Sequence, residues 1–177
     1  MPFTAFHVAP VWPLYVKWPR RWDILALSFG AVMPDLETVT IYPLTQDVSF
    51  ARGLMHSVLG VLTVNLLLTV VAARILAPWI AASLDRRFPG KGWRLFARHD
   101  VVSDHKAWPV TITSAAIGGL THLGIDLLHH LDTPLLWPWR ASSLHLLPWS
   151  GDILWTYAVN AAFGGLFLAM MLKWVGR

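Results

Sequence analysis

The segment GGLTHLGIDLLHH, residues 118–130, sets His122, Asp126, His129 and His130 in an otherwise apolar run. On a helix of 3.6 residues per turn, Asp126 lies about 40° around from His122, His129 about 20° the other way and His130 about 80°. One face therefore carries all four. An imidazole offers a neutral nitrogen and a carboxylate cancels metal charge, so a His and an Asp at i, i+4 suit a divalent ion. The chain has no cysteine, which restricts a metal centre to His, Asp and Glu. A zinc ion that keeps an open position lowers the pKa of its bound water to about 7. The bland alternative is a polar core face with His paired to Asp. Four such residues on one face of an apolar protein tilt the reading to a metal, because ionisable groups inside a membrane span are costly and mark function.

Three further pieces carry chemistry. MPDLE (33–37) puts Asp35 and Glu37 directly after Pro34. They are candidate ligands or bases, or solvated acids at a helix stop. RGLMHS (52–57) puts Arg52 and His56 at i, i+4 at the start of a long helix, so they are expected to share a face. His56 would be a ligand and Arg52 a phosphate clamp, since guanidinium grips phosphate oxygens in bidentate fashion; an interfacial anchor is the other reading of Arg52. His7, in AFHVAP, follows an aromatic and taken alone reads as structural; with the other pieces it is a further candidate ligand.

The elements that must position these residues are apolar. Hydrophobic residues make up 55% of the 177 and charged residues 14%, against roughly 25% charged in a soluble domain. Mean hydropathy is +0.52. The 11 Trp suit a membrane–water interface. A net charge of +4 could signal nucleic-acid binding, but the basic residues punctuate apolar stretches and are better read as topology signals, so no nucleic-acid partner is expected. The first fifteen residues lack the basic start of a secretory signal and are expected to stay in the mature protein.

Residues 54–77 and 153–175 read as spanning helices, each near the ~20 apolar residues a bilayer requires. Residues 107–131 are long enough but polar in their second half. Residues 3–16 and 22–34 read as a short helical hairpin, the first irregular because of Pro10 and Pro13. The expected fold is thus an all-α polytopic membrane bundle, one domain over 1–177, with about five membrane-embedded helices, the first two short. Lys17, Arg20 and Arg21, the basic loop 78–106, and Lys173 and Arg177 alternate with base-poor loops. Basic loops stay in the cytoplasm, which places the N-terminus outside and the C-terminus inside. That topology carries His7, Asp35, Glu37, His56 and the His122–His130 cluster to one side.

PFTAFHVAP, MPDLE, RGLMHS, HLGIDLLHH and PLLWPW occur in this order. Together they resemble a group of prokaryotic integral membrane proteins similar to the membrane-bound metal-dependent hydrolase family. A more distant similarity is to the all-α zinc-dependent phospholipase C and single-strand nuclease fold. The resemblance implies metal ligands at His7, Asp35, His56, His122, Asp126 and His129 or His130. The N-terminal Trp ligand of the soluble enzymes and their final His-x-x-x-Glu pair have no counterpart here, so one or two ions are expected rather than three.

The expected function is a zinc-type metal-dependent hydrolase of the inner membrane, with its site at the outer face. Its substrate would be a phosphoester of a lipid or lipid-linked phosphate, with Arg52 stabilising charge and Glu37 or Asp126 as general base. The alternative is a metal-binding transporter or sensor without hydrolysis. HDVVSDHK (99–106) looks like a ligand set on paper but falls in the basic loop, and is read as a solvated face. Arg140 and His145 are rim residues or substrate contacts.

Overall fold

The computed structural model describes residues 4–90, 107–131, 133–139 and 146–175. A 3-10 turn, Thr4–Val8, leads into α1, Trp12–Lys17. Helices α2, Ile24–Val32, and α3, Pro34–Thr45, follow with only Met33 between them. After α4, Val48–Ala51, a 3-10 turn Leu54–His56 precedes α5, the continuous run Val58–Arg87. Helices α6, Trp108–His129, and α7, Ile153–Val175, complete the bundle. Among the described residues, four helical runs are long and apolar enough to cross a membrane: Ile24–Thr45, Val58–Arg87, Trp108–Leu128 and Ile153–Met170.

Two differences from the sequence expectation bear on the site. Residues 22–34 are not a short element. Met33 keeps right-handed helical angles (φ −61°, ψ −35°), so α3 extends α2 and the pair reaches 22 residues. The hydrogen-bond ladder breaks at this junction: Pro34 brings no N–H to it, and α3 restarts on Met33, whose carbonyl accepts from the Leu36 amide at 3.0 Å. The expected basic loop is also shorter than 78–106, because α5 stays helical to Arg87. Residues 91–106, with His99, Asp100, Asp104 and His105, lie outside the described residues, as do Arg140 and His145.

The α2–α6 contact is the frame of the bundle. Asp23 caps α2, its Oδ1 accepting from the Leu25 and Ala26 amides at 3.0 and 3.2 Å. Its Oδ2 accepts from Thr111 Oγ1 at 2.8 Å and its own amide donates to Ser114 Oγ at 2.9 Å, both on α6. Two turns on, Gly30 faces the Ala115 carbonyl and Gly118 faces the Leu27 carbonyl, each so close that a Cβ would collide with it. Small residues allow this backbone approach inside a membrane, where packing rather than water expulsion drives helix association. Helix α7 sits at the periphery. Phe167 meets Phe6 at 6.2 Å between ring centroids, and Trp155 Nε1 donates to the Leu128 carbonyl at 2.9 Å.

Candidate metal centre

Four elements deliver the centre. Helix α6 projects His122 and Asp126 inward, both fully buried. The first turn of α3 supplies Asp35 and Glu37. The Thr4–Val8 turn supplies His7, whose ring stacks on that of His122 with centroids 4.1 Å apart. The 52–57 loop supplies Arg52 and His56, also buried.

That loop is not the start of a helix. Ser57 ends the 3-10 turn by donating to the Leu54 carbonyl at 2.7 Å, and caps α5 by accepting from the Gly60 amide at 3.0 Å. Arg52 and His56 therefore share no helical face, contrary to the spacing argument. They meet instead at Asp126: Arg52 Nη2 lies 3.4 Å and His56 Nε2 3.8 Å from Asp126 Oδ2.

Both central imidazoles are oriented from behind. His122 Nδ1 lies 2.8 Å from the Ala31 carbonyl oxygen. A carbonyl only accepts, so Nδ1 carries the proton and Nε2 presents a lone pair. His56 Nδ1 lies 3.4 Å from Glu37 Oε2, which fixes the same tautomer. Glu37 Oε2 also accepts from the Met55 amide at 2.9 Å. Glu37 is thus placed behind His56 as its holder, rather than facing the centre as a base.

The two Nε2 lone pairs point among carboxylate oxygens. His56 Nε2 is 3.7 Å from Asp35 Oδ1; His122 Nε2 is 3.7 Å from the same atom and 3.5 Å from Asp126 Oδ2. Neither nitrogen has a hydrogen-bond partner, and neither oxygen of Asp126 receives a hydrogen bond. Left so, each buried polar atom costs about 1–3 kcal/mol. The separations exceed hydrogen-bonding distance and come close to the roughly 3.3–3.5 Å between donors tetrahedrally placed around one ion with bonds of about 2.0–2.1 Å.

Charge points the same way. Asp35, Glu37 and Asp126 are three negative groups against one guanidinium, leaving a deficit that one divalent cation closes. Two overlapping groups could hold an ion: Asp35, His56 and His122, and His7, His122 and Asp126, with ligand atoms in each within 4.8 Å of one another. The residues present thus fit a metal. His130 stands at the edge, its Nε2 3.8 Å from Asp126 Oδ1 and its side chain 15% exposed. His129 closes α6, and its side chain lies outside what is described.

In the metal-free chain burial acts to lower the His56 pKa, but the Asp35 and Glu37 carboxylates outweigh it and the net shift is upward from 6.5. Sequence reasoning missed the Ala31 carbonyl and the Ser57 cap. The first carries no side-chain signal; the second was legible as a Ser ahead of an apolar run.

No curated protein and no solved structure matches the chain. One family profile does, over residues 1–175, and on that match the chain belongs to the family described as Domain of unknown function (DUF4184).

Proposed function

We propose that this chain is a membrane-bound metal-dependent hydrolase acting on a phosphoester, with a lipid or lipid-linked phosphate as substrate. The observation that carries the reading is the meeting of Asp35, His56, His122 and Asp126 beside the buried guanidinium of Arg52. Asp35, His56, His122 and Asp126, with His7 stacked alongside, would hold one or two divalent ions. The donor set of nitrogen and carboxylate oxygen suits zinc. Bound there, the ion supplies Lewis-acid activation of a phosphoryl group and of water.

The chain's own residues do the rest. The Arg52 fork clamps a phosphate oxygen and steadies the charge that grows on it. Asp126, with Oδ1 turned to His130, takes a proton from the attacking water. As the ester P–O bond breaks, His130, the partly exposed member beside Asp126, relays that proton to the departing alkoxide, which leaves as the alcohol. Glu37 keeps His56 in the tautomer that leaves Nε2 open.

The alternation of basic and base-poor loops supports an inner-membrane location with the N-terminus outside and the centre near the outer face. Membrane lipids are then the partners at hand, and no nucleic acid is expected. Complete burial of His56, His122 and Asp126 favours a second reading, an ion-binding transporter or sensor without hydrolysis.

Two measurements separate them. Metal analysis of the purified protein should find stoichiometric zinc, lost in both His56→Ala and His122→Ala. Phosphate release from phosphomonoester and diester lipids should depend on that metal. Metal without turnover supports the second reading; no metal in the wild-type protein ends both.

A further inference from the structure

A second buried guanidinium sits at the opposite end of the bundle. Arg74 is 1% exposed and lies on a π turn of α5, Ala72–Leu76. Such widened turns are uncommon and cluster at functional sites. Arg74 Nε, Nη1 and Nη2 have no hydrogen-bond partner. A guanidinium carries five N–H donors and no acceptor, so every one of them needs a lone pair from elsewhere.

The neighbours do not supply one. The Trp108 ring centroid lies 5.5 Å from Arg74 Cζ and attracts the charge, but a ring face is no substitute for oxygen acceptors. Among the described residues Asp23 is the acid at this end, and both its oxygens are engaged, with the Leu25 and Ala26 amides and with Thr111. Asp85 lies three turns further along α5, about 16 Å by helical rise. Asp35, Glu37 and Asp126 belong to the metal centre. Trp108 is 14 residues before His122 on α6, so the two ends are about 21 Å apart. Breaking a buried pair so that a charge stands alone is strongly destabilising; a fully buried Arg74 therefore calls for an anion that none of the described residues supplies.

The start of α6 adds an independent reason. Its N-cap is Ala107, which makes no side-chain capping hydrogen bond. The positive end of the dipole of this 22-residue helix thus lies beside Arg74. Trp108 is the first residue of α6, so the ring that touches Arg74 belongs to that helix end.

We propose that Arg74 and the start of α6 form an oxyanion site that takes a phosphate group at the membrane face opposite the metal centre. Phosphate is favoured because Arg74 is level with the end of a spanning helix, at the depth of lipid headgroups. A headgroup phosphate and a free phosphate offer the same oxygens to the fork. The site does not depend on the metal reading.

The test uses the full chain in detergent. In one arm, delipidated protein is melted in inorganic phosphate or in chloride at equal ionic strength. In the other, phospholipid retained after exhaustive delipidation is counted by mass spectrometry. If free phosphate is the ligand, it raises the wild-type midpoint by about 3 °C at ten times Kd. If a headgroup is the ligand, phosphate does nothing and one phospholipid stays bound. Arg74→Gln should abolish whichever response the wild type gives. Arg74→Lys, which keeps the charge and loses the fork, should weaken it at least about tenfold, and it carries the test if the Gln variant does not fold. Metal content at the far end should be unchanged in either. Equal responses from wild type and variants in both arms overturn the proposal.

Discussion

Glu37 and His56 are joined through a single carboxylate oxygen. Glu37 Oε2 lies 3.4 Å from His56 Nδ1 while accepting the neighbouring Met55 amide at 2.9 Å. Ring and turn are thus held by one atom. Removing such a partner behind a ligand typically weakens metal binding 10–100-fold, about 1.4–2.7 kcal/mol. Glu37→Ala should do so without abolishing stoichiometric binding at saturation, as read by competition with a chromophoric chelator. Unchanged affinity would remove Glu37 from the centre.

Proton competition at His56 sets a pH dependence. Burial acts to lower the folded, metal-free pKa, but the Asp35, Glu37 and Asp126 carboxylates favour the imidazolium and leave it raised from 6.5. An ion must displace that proton, so affinity should fall as pH falls, by about tenfold per unit once pH is below the raised pKa. The decline should start above pH 6.5, and Glu37→Ala should move its onset to lower pH. Affinity that stays level between about pH 8 and 6 contradicts the arrangement.

Metal removal should loosen the whole bundle. Without a cation, Asp35 and Asp126 face two lone pairs in a buried space. An ion at a thousand times its Kd adds about 4 kcal/mol to apparent stability. Chelation should lower the wild-type unfolding midpoint by several degrees and leave metal-free His122→Ala where it was. A wild-type melt indifferent to chelator counts against a structural cation.

Arg52→Lys separates binding from turnover. The charge beside Asp126 survives and the fork does not. Metal content should hold, while phosphoester turnover falls about 10²–10³-fold, the usual loss for one donor aimed at developing charge. Parallel loss of metal would assign Arg52 to holding Asp126 alone.

Gly30→Val tests the frame. Any Cβ there meets the Ala115 carbonyl, and overpacking costs about 1–3 kcal/mol. Because α2 carries the Ala31 carbonyl and α3 continues from it with Asp35, the variant should lose both thermal stability and metal. Retained metal with a lowered melt would show that the centre tolerates a wider α2–α6 gap.

Part of this arrangement was readable from residue spacing. His122 and Asp126 lie on a regular helix, where i, i+4 means one face, and their Nε2–Oδ2 separation of 3.5 Å follows from that. The all-helical class and the apolar runs followed from composition. The 52–57 segment differs from the helix start its spacing suggests, because periodicity cannot tell a helix start from a 3-10 turn closed by a Ser cap. Proline breaks helices in general, so Pro34 reads as a stop in sequence, yet at the first position of α3 the helical run resumes. The role of Glu37 depends on a contact 18 residues away, with the Met55 amide, which no local pattern encodes.

The imidazole of His122 is aimed by a main-chain oxygen at position 31. No side-chain replacement there can delete that acceptor. A substitution at the fully buried Ala31 acts through packing against Val11 and Leu27 rather than through loss of the acceptor, whereas a slide of one span against the other would re-aim the ring. Ligand orientation in this protein is inherited from how two helices dock, and a mutational scan of ligands alone would overlook its most sensitive determinant.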